Sequence, residues 1–242
     1  DMVVQGMGGI MSVTGHPGTP PTRIGMSIGD IGSGLYATIG VQAALFHRQL
    51  TGEATKVDIG MLDCQLALLE NAVMRYQVSG TAPGPLGARH PSITPFEAYK
   101  TKDGYIIISA GNDGLFAKLA EALENPGWAE DPDYSSNDNR NKHVEKLKIE
   151  MESVLTAHTT SHWIEVLDKF GVPSGPINDI GQAATHPQTI ARNMIVSVDD
   201  PITGPMKVAG NPIKISGFED PETRDPAPNL DQNREEILRE LS

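Results

Sequence analysis

The sequence predicts an α/β fold. Three patterns carry this: helix, strand and helix in short succession over residues 32–78, a hairpin followed by helices over residues 96–170, and strand patterning again after residue 195.

Residues 1–25 read as a short apolar segment and then a loop. Gly15, Pro17, Gly18, Pro20 and Pro21 block regular structure there. Residues 32–49 read as a helix, because Leu35, Ile39, Ala43 and Phe46 recur at helical spacing and His47-Arg48-Gln49 ends the run. Thr51-Gly52 breaks the chain. Lys56-Val57-Asp58-Ile59 alternates like a short strand, and residues 61–78 form a second helix closed by Ser79-Gly80. Residues 81–95 make a connection longer than most, the kind that is often functional.

Phe96 to Ser109 reads as a hairpin around the Asp103-Gly104 turn. A helix over 114–124, an acidic loop over 125–139 and helices over about 140–157 and 161–170 follow, the last behind a Thr159-Thr160-Ser161 cap. The tail reads as strands at 195–198, 206–209 and 213–215, a Pro-rich arm over 221–228 and a final helix over 233–241. The expected division is 1–80 as part of a large domain, 81–95 as a linker loop, 96–190 as a small α+β domain and 191–242 as a return segment.

The composition is that of a soluble globular chain, 38% apolar and 21% charged over 242 residues. No apolar run is long enough to span a bilayer, so no membrane partner is expected, and the first residues do not read as a signal peptide. The single cysteine, Cys64, fits a reducing compartment, so a cytoplasmic location is expected. Its apolar helical surroundings make it a packed core thiol. The net charge of -12 disfavours nucleic acid. A ligand as anionic as a nucleotide thioester calls on a few cationic residues or on chain outside this sequence. The Gly-rich apolar opening, Gln5 to Met11, looks like the inside of a domain, so a fragment lacking its N-terminal part is expected.

Several chemistries find no support. Seven histidines are scattered, and His158 and His162, though four apart, stand in no zincin pattern, so no metal is expected. Gly29, Gly32 and Gly34 match neither a Walker A loop nor a dinucleotide fingerprint. There is no G-x-S-x-G.

Asp30 is the remaining candidate. It lies in Gly29-Asp30-Ile31-Gly32-Ser33-Gly34, just before the apolar helical pattern. From pattern alone it is a helix cap. A carboxylate is also a nucleophile that needs no base at neutral pH, and a helix N-terminus favours the anion. Nearby glycines can let a thioester approach exposed N–H groups that would stabilise an oxyanion.

The chain resembles the class III CoA-transferases over nearly its whole length. Val4-Gln5-Gly6-Met7-Gly8-Gly9 is similar to the family's Gln-Ala-x-x-Gly stretch, and Gly18 to Arg23 with Gly29 to Gly34 is similar to its hallmark segment. Val57-Asp58-Ile59, Asp103-Gly104-Tyr105-Ile106, Gly171 to Pro176, Gly210 to Lys214 and Glu235 to Leu238 follow in the family's order. The resemblance implies a Rossmann-like large domain plus a smaller α+β domain, in an intertwined homodimer of the full-length protein. It makes Asp30 the catalytic residue, forming an acyl-aspartyl anhydride and then an aspartyl-CoA thioester. It implies no permanently bound cofactor, with coenzyme A entering as the substrate thioester. Acyl-CoA and a carboxylic acid are the expected partners. Gly29, Gly32 and Gly34 are the implied CoA-side contacts, and Gln5, Arg89 and His90 the candidate substrate contacts. Gly84 to His90 stands where some members carry a Gly-rich lid, without a run of glycines. The related α-methylacyl-CoA racemases, with the matching Asp as acid/base, are the alternative; a catalytically inert fold member is the other.

Overall fold

A computed structural model describes residues 1–241, which divide into a unit of Asp1–Pro176 and a unit of Ile177 onward. The first unit opens with helices, α1 (Met2–Met7), α2 (Ile10–Val13), α3 (Ile28–Thr51), α4 (Met61–Leu68) and α5 (Glu70–Ser79). Gly9 divides α1 from α2 by turning left-handed, φ 85°. The first residues are thus helical rather than merely an apolar segment before a loop. Helix α3 has 24 residues, roughly 36 Å of axis. It ends at Gly52, whose left-handed backbone returns its N–H to the Arg48 carbonyl.

Two expectations for this region change. Residues 61–78 are two helices, because Leu69 leaves helical geometry (φ -98°, ψ 26°). Residues 56–59 are not a strand. A strand exists through its ladder of partner hydrogen bonds, and no described strand runs beside them. Val57 instead packs on Gly40 of α3, where an added Cβ would come within 2.8 Å of Val57 Cγ1. On α4, Cys64 is buried as expected of a core thiol. Its neighbour Gln65 is also buried, with neither amide atom hydrogen-bonded.

The rest of this unit is a sheet covered by helices. Strands β1 (Phe96–Lys100), β2 (Tyr105–Ser109) and β3 (Ser174–Pro176) pair antiparallel in that order. Register sets Glu97 opposite Ile108 and Tyr99 opposite Ile106, and all four are buried, as the two-residue period of strands requires. Against that face lie α6 (Asp113–Ala122), α7 (Asn137–Lys142), α8 (Val144–Leu155) and α9 (Thr160–Lys169). Phe116, Leu119, Leu147, Met151, Leu155, Trp163 and Leu167 fill the core. The hairpin turn is also anchored, since Asp103 Oδ1 accepts the Thr160 N–H that opens α9, at 2.8 Å. That bond leads in holding the Asp103 carboxyl below its usual range.

Two cations are folded into this core with defined partners. Arg140, fully buried, donates to Thr94 O, Tyr134 O and Asp113 Oδ1, each within 2.8 Å, and stacks over Phe116. Lys148 meets buried Glu97 at 2.5 Å and donates to Ala98 O at 3.0 Å. Burial, followed by the nearby Glu97 and Glu152 charges, raises the Tyr99 phenol well above its ordinary value.

The second unit holds α10 (Ile180–Thr185), opened by an Asp179–Gln182 capping box, and α11 (Pro187–Ala191). Strands β4 (Ile195–Asp200) and β5 (Gly204–Ala209) form a hairpin, with β6 (Thr223–Arg224) parallel on the other side of β4. Helix α12 (Arg234–Glu240) follows. Residues 213–215 are not a strand, and the third strand lies instead within the Pro-rich arm. That arm is held by Asp220, which pairs with Lys214 and with Arg224. Lys214, ahead of a smaller opposing desolvation, and then Arg224 hold the Asp220 carboxyl down at about 2.

Replacing Arg140 with Ala strands two buried carbonyls and empties the space over Phe116. We expect a loss of about 3 kcal/mol, measured by urea unfolding. Asp220 has a folded pKa below its ordinary value of 3.8, so its pairing contributes fully above about pH 4 and is lost as pH falls toward 2. Carboxyl-detected NMR titration is expected to give a midpoint near 2 for Asp220.

Candidate functional site

Asp30 is the third residue of α3, not the residue before it. The cap position is Ser27, whose side chain makes no capping bond. Capping comes from Asp1 instead: its Oδ1 accepts the Gly29 N–H at 2.9 Å. Its Oδ2 accepts from Gln5 Nε2 at 2.8 Å. Gln5, fully buried, also donates to Met26 O at 3.3 Å, and its Oε1 accepts the Ile24 N–H at 3.1 Å. One carboxylate and one amide therefore fix the chain just before α3 and the first turn of that helix.

Asp30 is free of this structural work. Its side chain is 60% exposed, against 13% for Asp1, and it accepts no hydrogen bond from the described residues. The Asp1 nitrogen lies 3.5 Å from Asp30 Oδ1. An available carboxylate in the first turn of a 24-residue helix stands where the helix dipole favours negative charge.

The glycines around it differ in role. Gly29 is packed so tightly that an added Cβ would lie 2.6 Å from Val4 Cγ1 and 3.0 Å from Asp1 Oδ1. Gly32 faces Leu68 of α4 at 2.8 Å by the same measure. Gly34 meets nothing within 4 Å and sits four residues on from Asp30, on the same side of the helix. Gly34 has open space beside it, while Gly29 and Gly32 let α1 and α4 close on α3.

The structure brings Gln5, Gly29 and Asp30 together and leaves Arg89 and His90 in the loop after α5. His90 is turned inward: Nδ1 accepts the Ser92 N–H at 3.2 Å and the ring lies 5.2 Å from Phe96. Its neutral form then carries the proton on Nε2. Gly87, left-handed at φ 66°, docks this loop on the earlier one by donating to Gly15 O at 2.8 Å. Sequence reasoning missed Asp1 altogether. Its only signal was a carboxylate four residues before Gln5. Among the described residues no group of three or more His, Cys, Asp or Glu is placed to hold a metal ion, and no helix is long and apolar enough to cross a membrane.

With this geometry in view, comparison with known proteins is direct. Residues 1–234 match the family model of CoA-transferase family III. The chain belongs to that family. It is 39% identical over its full length to an acetyl-CoA:oxalate CoA-transferase of Acetobacter aceti, covering 61% of that protein. It is 35% identical to a succinate–glutarate CoA-transferase of Agrobacterium fabrum, covering 60% of it. A crystal structure of a CaiB/BaiF family protein from Brucella suis superposes with a TM-score of 0.79 at 35% identity, over the whole of this chain and 62% of that one. The α/β fold is that of the CaiB/BaiF proteins. A Mycobacterium tuberculosis protein, Rv3272, shares the fold at 24% identity, with a TM-score of 0.79 over 93% of this chain and 61% of that one. The chain thus spans about 60% of the length of these relatives.

Adding a methyl group separates the two kinds of glycine. Gly29→Ala is expected to lower stability by about 1–3 kcal/mol through overpacking. Gly34→Ala is expected to raise it by roughly 0.5–1 kcal/mol, as in any open helical position. Thermal unfolding of the two variants reads the contrast.

Proposed function

We propose that the protein to which this chain belongs moves CoA from an acyl-CoA to a free carboxylic acid, with Asp30 as the nucleophile. The observation that carries this reading is the exposed Asp30 carboxylate in the first turn of α3, which accepts no hydrogen bond from the described residues, while Asp1 and Gln5 do the structural work beside it. The names of the family relatives, which transfer CoA to or from oxalate, succinate and glutarate, support a transferase over the racemase alternative.

The steps balance without any outside reagent. An Asp30 oxygen attacks the thioester carbon, the C–S bond breaks and CoA leaves as thiolate, giving an acyl-aspartyl anhydride. The thiolate attacks the aspartyl carbonyl and releases the original acyl group as a carboxylate, leaving an aspartyl-CoA thioester. The incoming carboxylate attacks that thioester and frees the thiolate. The thiolate then attacks the new acyl carbon and regenerates Asp30. Each tetrahedral stage develops an oxyanion, which the positive end of the α3 dipole favours. Gly34 gives a thioester room to approach, and Gly29 and Gly32 act by placing α3. Gln5 acts through Asp1, and Arg89 and His90 belong to the loop over the substrate.

The apolar face of α3 bears on the assembly. Leu35, Ile39 and Phe46 are 62%, 65% and 64% exposed. Apolar surface of that extent is normally covered by protein, which supports an intertwined homodimer of a longer protein. In that protein residues 1–80 belong to the large domain, 81–95 link it to a small domain of 96–190, and 191–242 return.

The test uses the full-length protein. Incubation with acyl-CoA is expected to label the Asp30 peptide with a CoA adduct cleaved by hydroxylamine, and Asp30→Asn is expected to lose both adduct and exchange by at least about a thousandfold. Exchange of the α-hydrogen with deuterium and no adduct would mark a racemase. Full exchange in Asp30→Asn would sink the assignment.

A further inference from the structure

Ser27-Ile28-Gly29-Asp30 has the spacing of a capping box, a hydroxyl followed three residues on by a carboxylate. In a formed box the first side chain accepts the N–H of the third helical residue, whose own side chain accepts the N–H of the cap residue. The chain forms such a box at Asp179 and Gln182, where α10 opens. It forms none at α3. Ser27 makes no capping bond, and Asp30 accepts no hydrogen bond from the described residues. Both residues are exposed.

The backbone gives the reason. Thr159, which caps α9 and accepts the His162 N–H, has φ -70° and ψ 160°. Ser27 has nearly the same φ, -77°, but a ψ of 66°. Those are the angles of an inverse γ-turn, and the Ile28 N–H closes that turn on Met26 O at 2.9 Å. Gln5 Nε2 donates to the same carbonyl, and Asp1 Oδ1 accepts the Gly29 N–H. Distant residues thus do the work of the cap, and the Ser27 hydroxyl bonds to no described residue. Residues 28 and 29 are helical, so Ser27 and Asp30 stand one turn apart whatever ψ Ser27 takes.

An uncommitted hydroxyl one turn from the nucleophile fits two steps of the transfer. When CoA thiolate attacks the anhydride, the carbon attacked is the Asp30 carboxyl carbon. The same carbon is attacked when the incoming carboxylate meets the aspartyl-CoA thioester. In both, negative charge develops on an oxygen of Asp30 itself, and a donor placed beforehand lowers the barrier. We infer that Ser27 is a second catalytic residue, whose Oγ–H donates a hydrogen bond to that oxyanion. The hydroxyl keeps its proton, so the bonds made and broken are those of the transfer alone. This role rests on the transferase reading with Asp30 as nucleophile.

The experiment measures CoA transfer from succinyl-CoA to glutarate by the full-length protein, as parent, Ser27→Ala and Ser27→Thr. Ser27→Ala is expected to lower kcat at least about tenfold and keep KM within about twofold, since the bond belongs to the transition states. Ser27→Thr retains the hydroxyl and is expected to stay within about threefold of the parent. The Ser27→Ala melting temperature is expected to move by less than about 1 °C, where losing an ordinary cap would lower it by about 2–4 °C. Unchanged kcat in Ser27→Ala overturns the role. So does an unfolded or cap-like destabilised Ser27→Ala, because the hydroxyl is then structural, and so does an equal loss in Ser27→Thr. The CoA adduct on Asp30 separates the two ideas. An adduct in the parent with full turnover in Ser27→Ala removes Ser27 alone. A parent that transfers no CoA, or transfers it without an adduct, removes the nucleophile, and the Ser27 role falls with it.

Discussion

The Asp1 carboxylate is the contact on which the site depends. It accepts from a helix-opening amide 28 residues away and from the buried Gln5 amide. Without it the first turn of α3 would leave Gly29 N–H unpaired in a close-packed place, at a cost of about 1–3 kcal/mol. With it, α3 starts at Ile28 and Asp30 enters the helix as its third residue. A carboxylate that would otherwise cap the helix is thereby left exposed. The division of labour is physical: the Asp1 carboxylate is half-buried and accepts two hydrogen bonds, while the Asp30 carboxylate is exposed and accepts none from the described residues.

Charge in this chain is distributed by function. The small sheet domain gives buried Arg140 and half-buried Lys148 fixed partners: carbonyls and Asp113 for Arg140, Glu97 for Lys148. These interactions set how the helices sit on the hairpin. Arg75 and Arg89 are treated differently: each lines one surface cavity and pairs with no described residue.

Where the sequence was read correctly, the determinants were local. The hairpin over 96–109 followed from alternation and an Asp-Gly turn, α6 from apolar spacing, and α9 from apolar spacing and a cap. The order of family motifs pointed to the CoA-transferases, and the match over residues 1–234 bears that out. The misreadings came from contacts that are distant in sequence. Periodicity started α3 at 32, since nothing local announces that Asp1 would close a turn at 28. Val57 and Ile59 alternate like a strand, yet they lie along α3 because no neighbouring strand offers a ladder. Leu69 interrupts a run whose apolar pattern is continuous.

By itself the sequence determined the class, the family motifs and the acid at position 30, because residue type and spacing carry those. Only the tertiary structure decided that Asp30 is no cap, that Gly29 and Gly32 are packing surfaces while Gly34 is open, and that Arg75 and Arg89 line one cavity. A side chain's exposure and its partners depend on which distant segments fold against it, and no local pattern encodes that.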